Sequence, residues 1–397
     1  MPEHLPYDPL DPSTLHDPYP VYARLRRHAP VHWHEALDCW VLTRYDDCLA
    51  VVHDHERFAR DRRRVGAELP AALESLQTLD PPEQIPLRRL YLAALRRFDA
   101  TALRQHFGQR LSALLTALLT APQAALPETT DGAPGFDFVP SVAVPLSLLV
   151  SCELLGVPAP DPAGFAEDAD AIVLAMDAHR APEVYRRGAE ARARLDRLIG
   201  SWLRDPVPGS LLSHVLDPAA AGDIPEHHIH HTVRVMLMSG YMAMSSCMGN
   251  LVAALLSHPT AAQQLRDRRL LRTGVDELLR FDSPVTGTTR FATVDVTVGG
   301  RSIRRGDGVL CLYAAANHDP DRFPKPDELV LDRTPNDHFG YSWGTHACIG
   351  RAVAQGLLED LVTAVVSLPR PLKLAAAPVR RPTATLRGLS SLPVTVR

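Results

Sequence analysis
The sequence predicts a mainly α-helical fold with small β-sheets, and three observations carry that expectation. Long stretches place apolar residues at helical spacing, two shorter regions alternate as paired strands do, and the composition is that of a well-cored globular chain. The chain has 397 residues, 46% of them apolar and 22% charged, with a formal net charge of −4. Those values exclude bulk disorder, and they exclude nucleic-acid binding driven by net charge. Only Lys325 and Lys373 are lysines among the 42 basic residues, which reads as an Arg-rich coding bias.

A short helix is expected at 20–28, followed by two strand-like runs, PVHWHE and CWVLTRY, that make a hairpin around Ala36-Leu37-Asp38. Residues 81–119 turn helical, with Leu87, Leu90, Ala94 and Leu95 on one face. Residues 121–135, rich in Pro, Gly and Thr, read as a surface loop. Helices are expected at 140–155, 162–177, 182–203, 226–256, 261–266 and 272–280. Residues 288–312 alternate around Gly-Gly and Gly-Asp-Gly turns as strands. A long irregular segment, 317–347, ends at Cys348 and gives way to a helix, and the tail returns to short strands.

Residues 235–256 carry no formal charge and are long enough to span a bilayer. Ser239, Ser245, Ser246 and Asn250 interrupt them and no second span exists, so a buried central helix is expected and no membrane partner. The six cysteines show no paired spacing, and the amino-terminal segment lacks a basic-then-apolar pattern. A reduced, cytoplasmic protein is the expectation.

The most informative stretch is His338-Phe-Gly-Tyr-Ser-Trp-Gly-Thr-His-Ala-Cys348-Ile-Gly350. A single cysteine stands at the end of a long loop and the start of a helix, with glycines at minus four and plus two. A helix N-terminus favours the thiolate and turns N–H donors toward it. Such a sulfur suits a soft metal centre with one protein ligand, as in heme iron with a proximal thiolate.

On these residues the chain resembles the cytochrome P450 family, specifically its soluble bacterial members, whose heme loop reads Phe-Gly-x-Gly-x-His-x-Cys-x-Gly. Gly344, His346, Cys348 and Gly350 match; Tyr341 stands for the phenylalanine and Ser342 for the first glycine. A positive φ at 342 would strain that serine. Glu277-Leu-Leu-Arg280, then Pro284-Val285, Arg290, Ala316-Asn-His-Asp-Pro320 and Arg333 follow in the family's order.

The resemblance implies a cytochrome P450 fold, a single triangular-prism-like domain over 1–397, with Cys348 ligating the iron of heme b. It implies a structural Glu277–Arg280–Arg333 cluster, and contacts to the heme carboxylates from Arg88, Arg290 and His346, with Gly350 beside the cofactor. Gln84 stands where the family has a histidine. The family's central helix usually carries Ala-Gly-x-Glu/Asp-Thr, whose acid and alcohol relay protons to dioxygen. This chain has Ser239-Gly240-Tyr241-Met242-Ala243. Gly240 is expected to leave room over the heme, while Met242 and Ala243, at the two relay positions, hold no proton to give. Water, Ser239, Ser245 or a substrate group must then deliver protons, or the oxygen-splitting route is impaired. Substrate contacts implied by topology include residues 62–79, the helices near 166–190, Tyr241, Val285, Thr286 and Leu389.

The implied activity is heme-thiolate monooxygenation of a small specialised metabolite, with electrons from ferredoxin and ferredoxin reductase and the enzyme a monomer. The alternatives are oxidative coupling of aromatic groups in a peptide or carrier-bound substrate, a peroxide-using enzyme, and a non-catalytic heme-binding homologue. Arg96, Arg97, Arg104 and Arg351 are candidates to steer an acidic electron donor. In the run Glu226-His-His-Ile-His-His231, His227, His230 and His231 share a helical face that could hold a metal, but with no evident carboxylate or cysteine partner the run reads as a solvated helix start.

Overall fold
The computed structural model describes residues 7–120, 135–177 and 180–396. Its first helices are α1 (Pro12–His16), α2 (Tyr19–His28), α3 (Tyr45–His53), α4 (Gln84–Arg97) and α5 (Ala100–Thr120). The middle of the chain forms α6 (Val144–Leu155), α7 (Pro162–Leu174), α8 (Pro182–Leu203), α9 (Leu211–Val215) and α10 (Pro218–Ala221). Then come α11 (Glu226–Ser257), α12 (Pro259–Gln264), α13 (Leu271–Phe281), α14 (Tyr313–Ala316) and α15 (Arg351–Val366). The expected helix at 162–177 stops at Leu174, and the one at 140–155 opens with a wide turn, Val139–Ala143. Pro145 has no N–H to close a regular first turn there. Of the expected loop at 121–135, all but Gly135 lies outside the described residues.

Strands β1 (Val31–His34), β2 (Cys39–Leu42) and β3 (Phe58–Ala59) come early, and β4 (Gly135–Asp137) is isolated in sequence. Next are β5 (Thr288–Ala292), β6 (Val296–Val298), β7 (Arg301–Ile303) and β8 (Gly308–Cys311). The tail gives β9 (Leu372–Leu374), β10 (Val379–Arg380), β11 (Leu389–Ser391) and β12 (Pro393–Val396). The hairpin β1–β2 pairs Val31 with Leu42, as its alternation predicts, and β2 runs parallel to β8 with Cys39 opposite Gly308. The order β1-β2-β8-β5-β3 thus sews residues 31–59 to 288–311, and β4-β12-β9 ties residue 135 to the tail.

Helix α11 is the axis of the core. Its later turns join α5, α6, α13 and α15 in one apolar cluster; its earlier turns join α4, α7 and α8 in another. Two glycines permit close helix contacts. A β-carbon at Gly240 would come within 2.7 Å of Ser151 Oγ on α6, and one at Gly188 within 2.4 Å of Ala175 Cβ. Although α11 is long and apolar enough to cross a membrane, 67% of its most apolar stretch is buried in the protein.

Glu277 on α13 anchors the irregular segment. Its carboxylate accepts from Arg280 Nε and Nη2, both at 2.8 Å, from Arg333 Nε at 3.0 and 3.1 Å, and from the Val330 N–H at 3.0 Å. Burial opposes its ionisation, but the two guanidiniums and this N–H outweigh it and hold the carboxyl below its ordinary range. Both arginines then spend their other donors on loop carbonyls: Asn317, Pro326 and Glu328 for Arg280, Pro324 and Lys325 for Arg333. Replacing Glu277 by Ala would leave two guanidiniums buried without a counter-charge. The expected cost is about 3–5 kcal/mol of stability, read from the midpoint of urea unfolding.

Candidate active site
The loop that presents Cys348 is held by side chains that bond its backbone. Asn317 Oδ1 accepts from the Phe339 N–H at 2.7 Å, and His338 Nδ1 accepts from the Gly340 N–H at 2.9 Å. Phe339 is buried and stacks on Tyr313, ring centroids 4.7 Å apart. Gly344 has φ +73°, and a β-carbon there would lie 2.1 Å from the Val52 carbonyl oxygen. Only glycine lets the loop cross the end of α3 at this distance. Ser342 does adopt the positive φ, +55°, and its hydroxyl pairs with the Tyr313 hydroxyl at 2.8 Å. A local partner thus accompanies a backbone shape that a serine seldom takes. The Cys348 N–H then donates to the Tyr341 carbonyl at 2.9 Å and closes the loop.

The Cys348 side chain is accessible although protein surrounds it. Burial pushes its thiol above the ordinary range; the N–H groups of Gly350 and Arg351 and the guanidiniums of Arg88 and Arg351 pull the other way. Gly350 supplies the N-terminal cap position of α15, with φ −87°, and a β-carbon there would sit 3.9 Å from the Cys348 sulfur.

Three guanidiniums, Arg88 among them, gather near this loop without acids. Arg88 Nη2 donates to the Ala347 carbonyl at 2.8 Å. Arg290 is buried; its Nη1 donates to Thr288 Oγ1 at 2.8 Å and the Thr289 carbonyl at 3.0 Å, while its Nη2 has no partner. Burial, with Arg290 next in importance, brings Arg60 down to about 10. Neither Arg60, Arg88 nor Arg290 forms an ion pair with a carboxylate among the described residues. Buried cations of this kind require a counter-charge. An anionic ligand with carboxylates, lying against the sulfur, fits this donor set.

Opposite runs α11. Around its middle the positions that are not buried are Val235, Met236, Met238, Ser239, Gly240, Ala243 and Cys247; of these Met236, Gly240, Ala243 and Cys247 recur at three- and four-residue steps and share one face, with Ser239 at its edge. Cys247 on this face is near enough to Cys348 for the two thiols to act on each other electrostatically. Burial is the first cause, and the neighbouring sulfur the second, that push Cys247 up to about 12.

A family model described as "Cytochrome P450" matches residues 210–367. The chain is 34% identical to nocardicin C N-oxygenase of Nocardia uniformis subsp. tsuyamanensis, over 97% of either protein. The chain belongs to the cytochrome P450 family. It is 33% identical to the P450 monooxygenase PikC of Streptomyces venezuelae, covering 95% of this chain and 91% of PikC. The crystal structure of CalO2 superposes with a TM-score of 0.85 at 32% identity, over 98% of each chain. This P450 is an enzyme of the monooxygenase type, and heme b is the family's cofactor.

The structure sorts the residues expected at the P450 site. Cys348, Arg88 and Gly350 come together, Arg290 acts electrostatically on His346 of the same loop, and Ala243 lies on the accessible side of α11. His346 does not offer a free nitrogen. Its Nε2 donates to Asp80 Oδ1 at 2.8 Å and its Nδ1 accepts from Gln84 Nε2 at 3.3 Å. Burial brings this imidazole down to about 4, so it is neutral and serves as a strut between the loop and α4. Gly240 is partly accessible and also makes room for α6 at Ser151. Met242 is buried in the second apolar cluster.

The substrate expectations are corrected at three positions. Tyr241 is 2% exposed and meets Phe165 edge-on at 4.8 Å; Leu389 is 2% exposed in the first cluster. The Thr286 hydroxyl donates to the Ala384 carbonyl at 2.6 Å. Periodicity alone cannot tell a pocket wall from a core position, and a hydroxyl's partner comes from another part of the chain. Val285 remains partly accessible, bridged to Leu386. Arg60 went unnoticed because it is one of five arginines between 57 and 64, with nothing in its spacing to single it out. Of the candidate docking arginines, Arg96, Arg97 and Arg351 are exposed and Arg104 is paired with Asp360 at 2.6 Å. Gly344→Ala should destabilise the enzyme by more than about 2 kcal/mol and lower its heme content, measured by thermal unfolding and by the ratio of heme to protein absorbance.

Proposed function
We propose that this P450 is a heme-thiolate monooxygenase of specialised metabolism, the whole of residues 1–397 acting as one domain. It is read as a cytoplasmic monomer that oxidises a small organic molecule with electrons from ferredoxin and ferredoxin reductase. One observation carries the reading: an accessible cysteine with backbone donors at its sulfur, faced by an accessible helix stripe and flanked by cations without acids. Nocardicin C N-oxygenase, named for a specialised metabolite, supports the substrate class.

When bound, heme b supplies an iron centre that activates dioxygen with electrons delivered from outside. Cys348 would ligate that iron, and the N–H groups of Gly350 and Arg351 would keep negative charge on its sulfur. Arg60, Arg88 and Arg290 would take the heme carboxylates. His346 would act at one remove, its hydrogen bond to Asp80 fixing the loop against the segment that carries Arg60. On α11, Met242 and Ala243 can neither hold nor pass a proton. Ser245 is committed to the Met242 carbonyl at 3.1 Å, which leaves Ser239 as the hydroxyl on the accessible face. Ser239 Oγ would therefore hold the proton destined for oxygen.

The missing acid and alcohol favour a second reading, oxidative coupling of aromatic groups on a peptide or carrier-bound substrate. With a ligand chosen because it shifts the heme's visible band, turnover under labelled dioxygen separates the two. Monooxygenation puts one labelled oxygen atom into the product. A product that has lost two hydrogens and carries no label would overturn it in favour of coupling. The cofactor assignment is checked apart from turnover. Arg60→Met removes one charge-assisted contact worth about 1.5–3 kcal/mol, so heme transfer to an excess of an apo-acceptor should run roughly ten- to a hundredfold faster.

A further inference from the structure
The histidine run at the start of α11 meets a carboxylate from a segment 153 residues before His227 in the chain. Glu74 follows the single-turn helix Ala71–Leu73, in the segment expected to border the substrate pocket. Its Oε2 lies 2.8 Å from His227 Nε2 and 3.0 Å from His228 Nε2, and the three atoms fall within 4.8 Å of one another. We propose that Glu74, His227 and His228 form a binding site for a divalent ion of the Zn2+ class, clamping the 71–79 segment to α11.

The donor set is two imidazoles and one carboxylate, which zinc accepts readily with a fourth position left to water. Bonds of about 2.0–2.1 Å at tetrahedral angles put ligand atoms roughly 3.3 Å apart. The two oxygen–nitrogen separations, 2.8 and 3.0 Å, need only a few tenths of an ångström of spreading, and the two ring nitrogens already lie within 4.8 Å of each other. The carboxylate is already turned for one-oxygen ligation, because Arg63 Nη1 donates to Oε1 at 3.3 Å and leaves Oε2 to the histidines. His231 steadies the same residue from behind, its Nδ1 bonded to the Glu74 carbonyl at 3.1 Å. Glu74 and His228 are largely buried while His227 is half exposed, so the open side faces solvent. Binding moves each ring proton from Nε2 to Nδ1 and releases none from a neutral imidazole. His230, the remaining histidine of the run, points elsewhere and pairs with Glu226 at 3.2 Å.

The test titrates heme-loaded enzyme with zinc chloride against a chromophoric chelator. One ion per chain is expected, at least tenfold weaker after Glu74→Gln or His228→Ala and changed less than twofold by His230→Ala. Equal affinity in wild type and Glu74→Gln, or an equal loss from His230→Ala, would mean adsorption to the histidine run and overturn the site. X-ray absorption of the zinc-loaded wild type needs no variant to fold: two imidazoles with oxygen donors are expected, and sulfur ligation would refute it. Heme content and the reduced carbon monoxide spectrum should stay unchanged throughout, which keeps this outcome separate from the P450 assignment.

Discussion

Most of what this enzyme does rests on one buried carboxylate. Glu277 sits at the centre of two guanidiniums whose remaining donors reach five loop carbonyls between residues 317 and 328. That segment has few backbone partners of its own, and a chain without a regular ladder must satisfy its polar groups some other way. The cluster does so from one side, and Asn317 passes the restraint on to Phe339. The cysteine loop therefore starts from a fixed point. Without that anchor, the ordering entropy of a long irregular segment would oppose any defined position for a sulfur.

The second constraint is charge. Arginines are costly to bury alone, yet Arg290 is buried with a donor unspent and Arg60 stands beside it. Asp80 is the nearby acid, and it is otherwise engaged: it takes N–H groups from Arg60 and Asp61 and the imidazole of His346. Burial works against its ionisation, but the imidazole bond and these N–H groups hold its carboxyl below the ordinary range. The positive charge next to the thiolate loop is thus kept for something other than the protein's own carboxylates.

Helix α11 shows a different economy. A small residue serves closeness at Gly240, against Ser151 of α6. Asn250 binds three other segments through Asp282, Arg387 and Arg380. What remains accessible is a narrow stripe without acid or threonine. On the proposed function, protons at this site come from a serine hydroxyl or solvent, and the buried methionines fill space adaptably between helices.

How much of this was legible in the sequence depends on the range of the interaction. Helix and strand positions came from local periodicity and the β1–β2 hairpin from a spacing of a few residues, while the α13 ion pair came from the family's order of motifs, since Glu183–Arg186 has the same spacing. The identity of Cys348 as the special cysteine followed from the glycines and histidine around it. Pairings that join distant segments were not legible: Glu74 with His227, Asp80 with His346, Arg60 beside Arg290, Thr286 with the Ala384 carbonyl. The sequence by itself determined which chemistry the chain can hold, because a thiolate, a guanidinium or an absent acid is a property of the residue. Only the tertiary structure decided which of those groups stay free, because a donor is spent or spared according to what folding brings within about 3 Å of it.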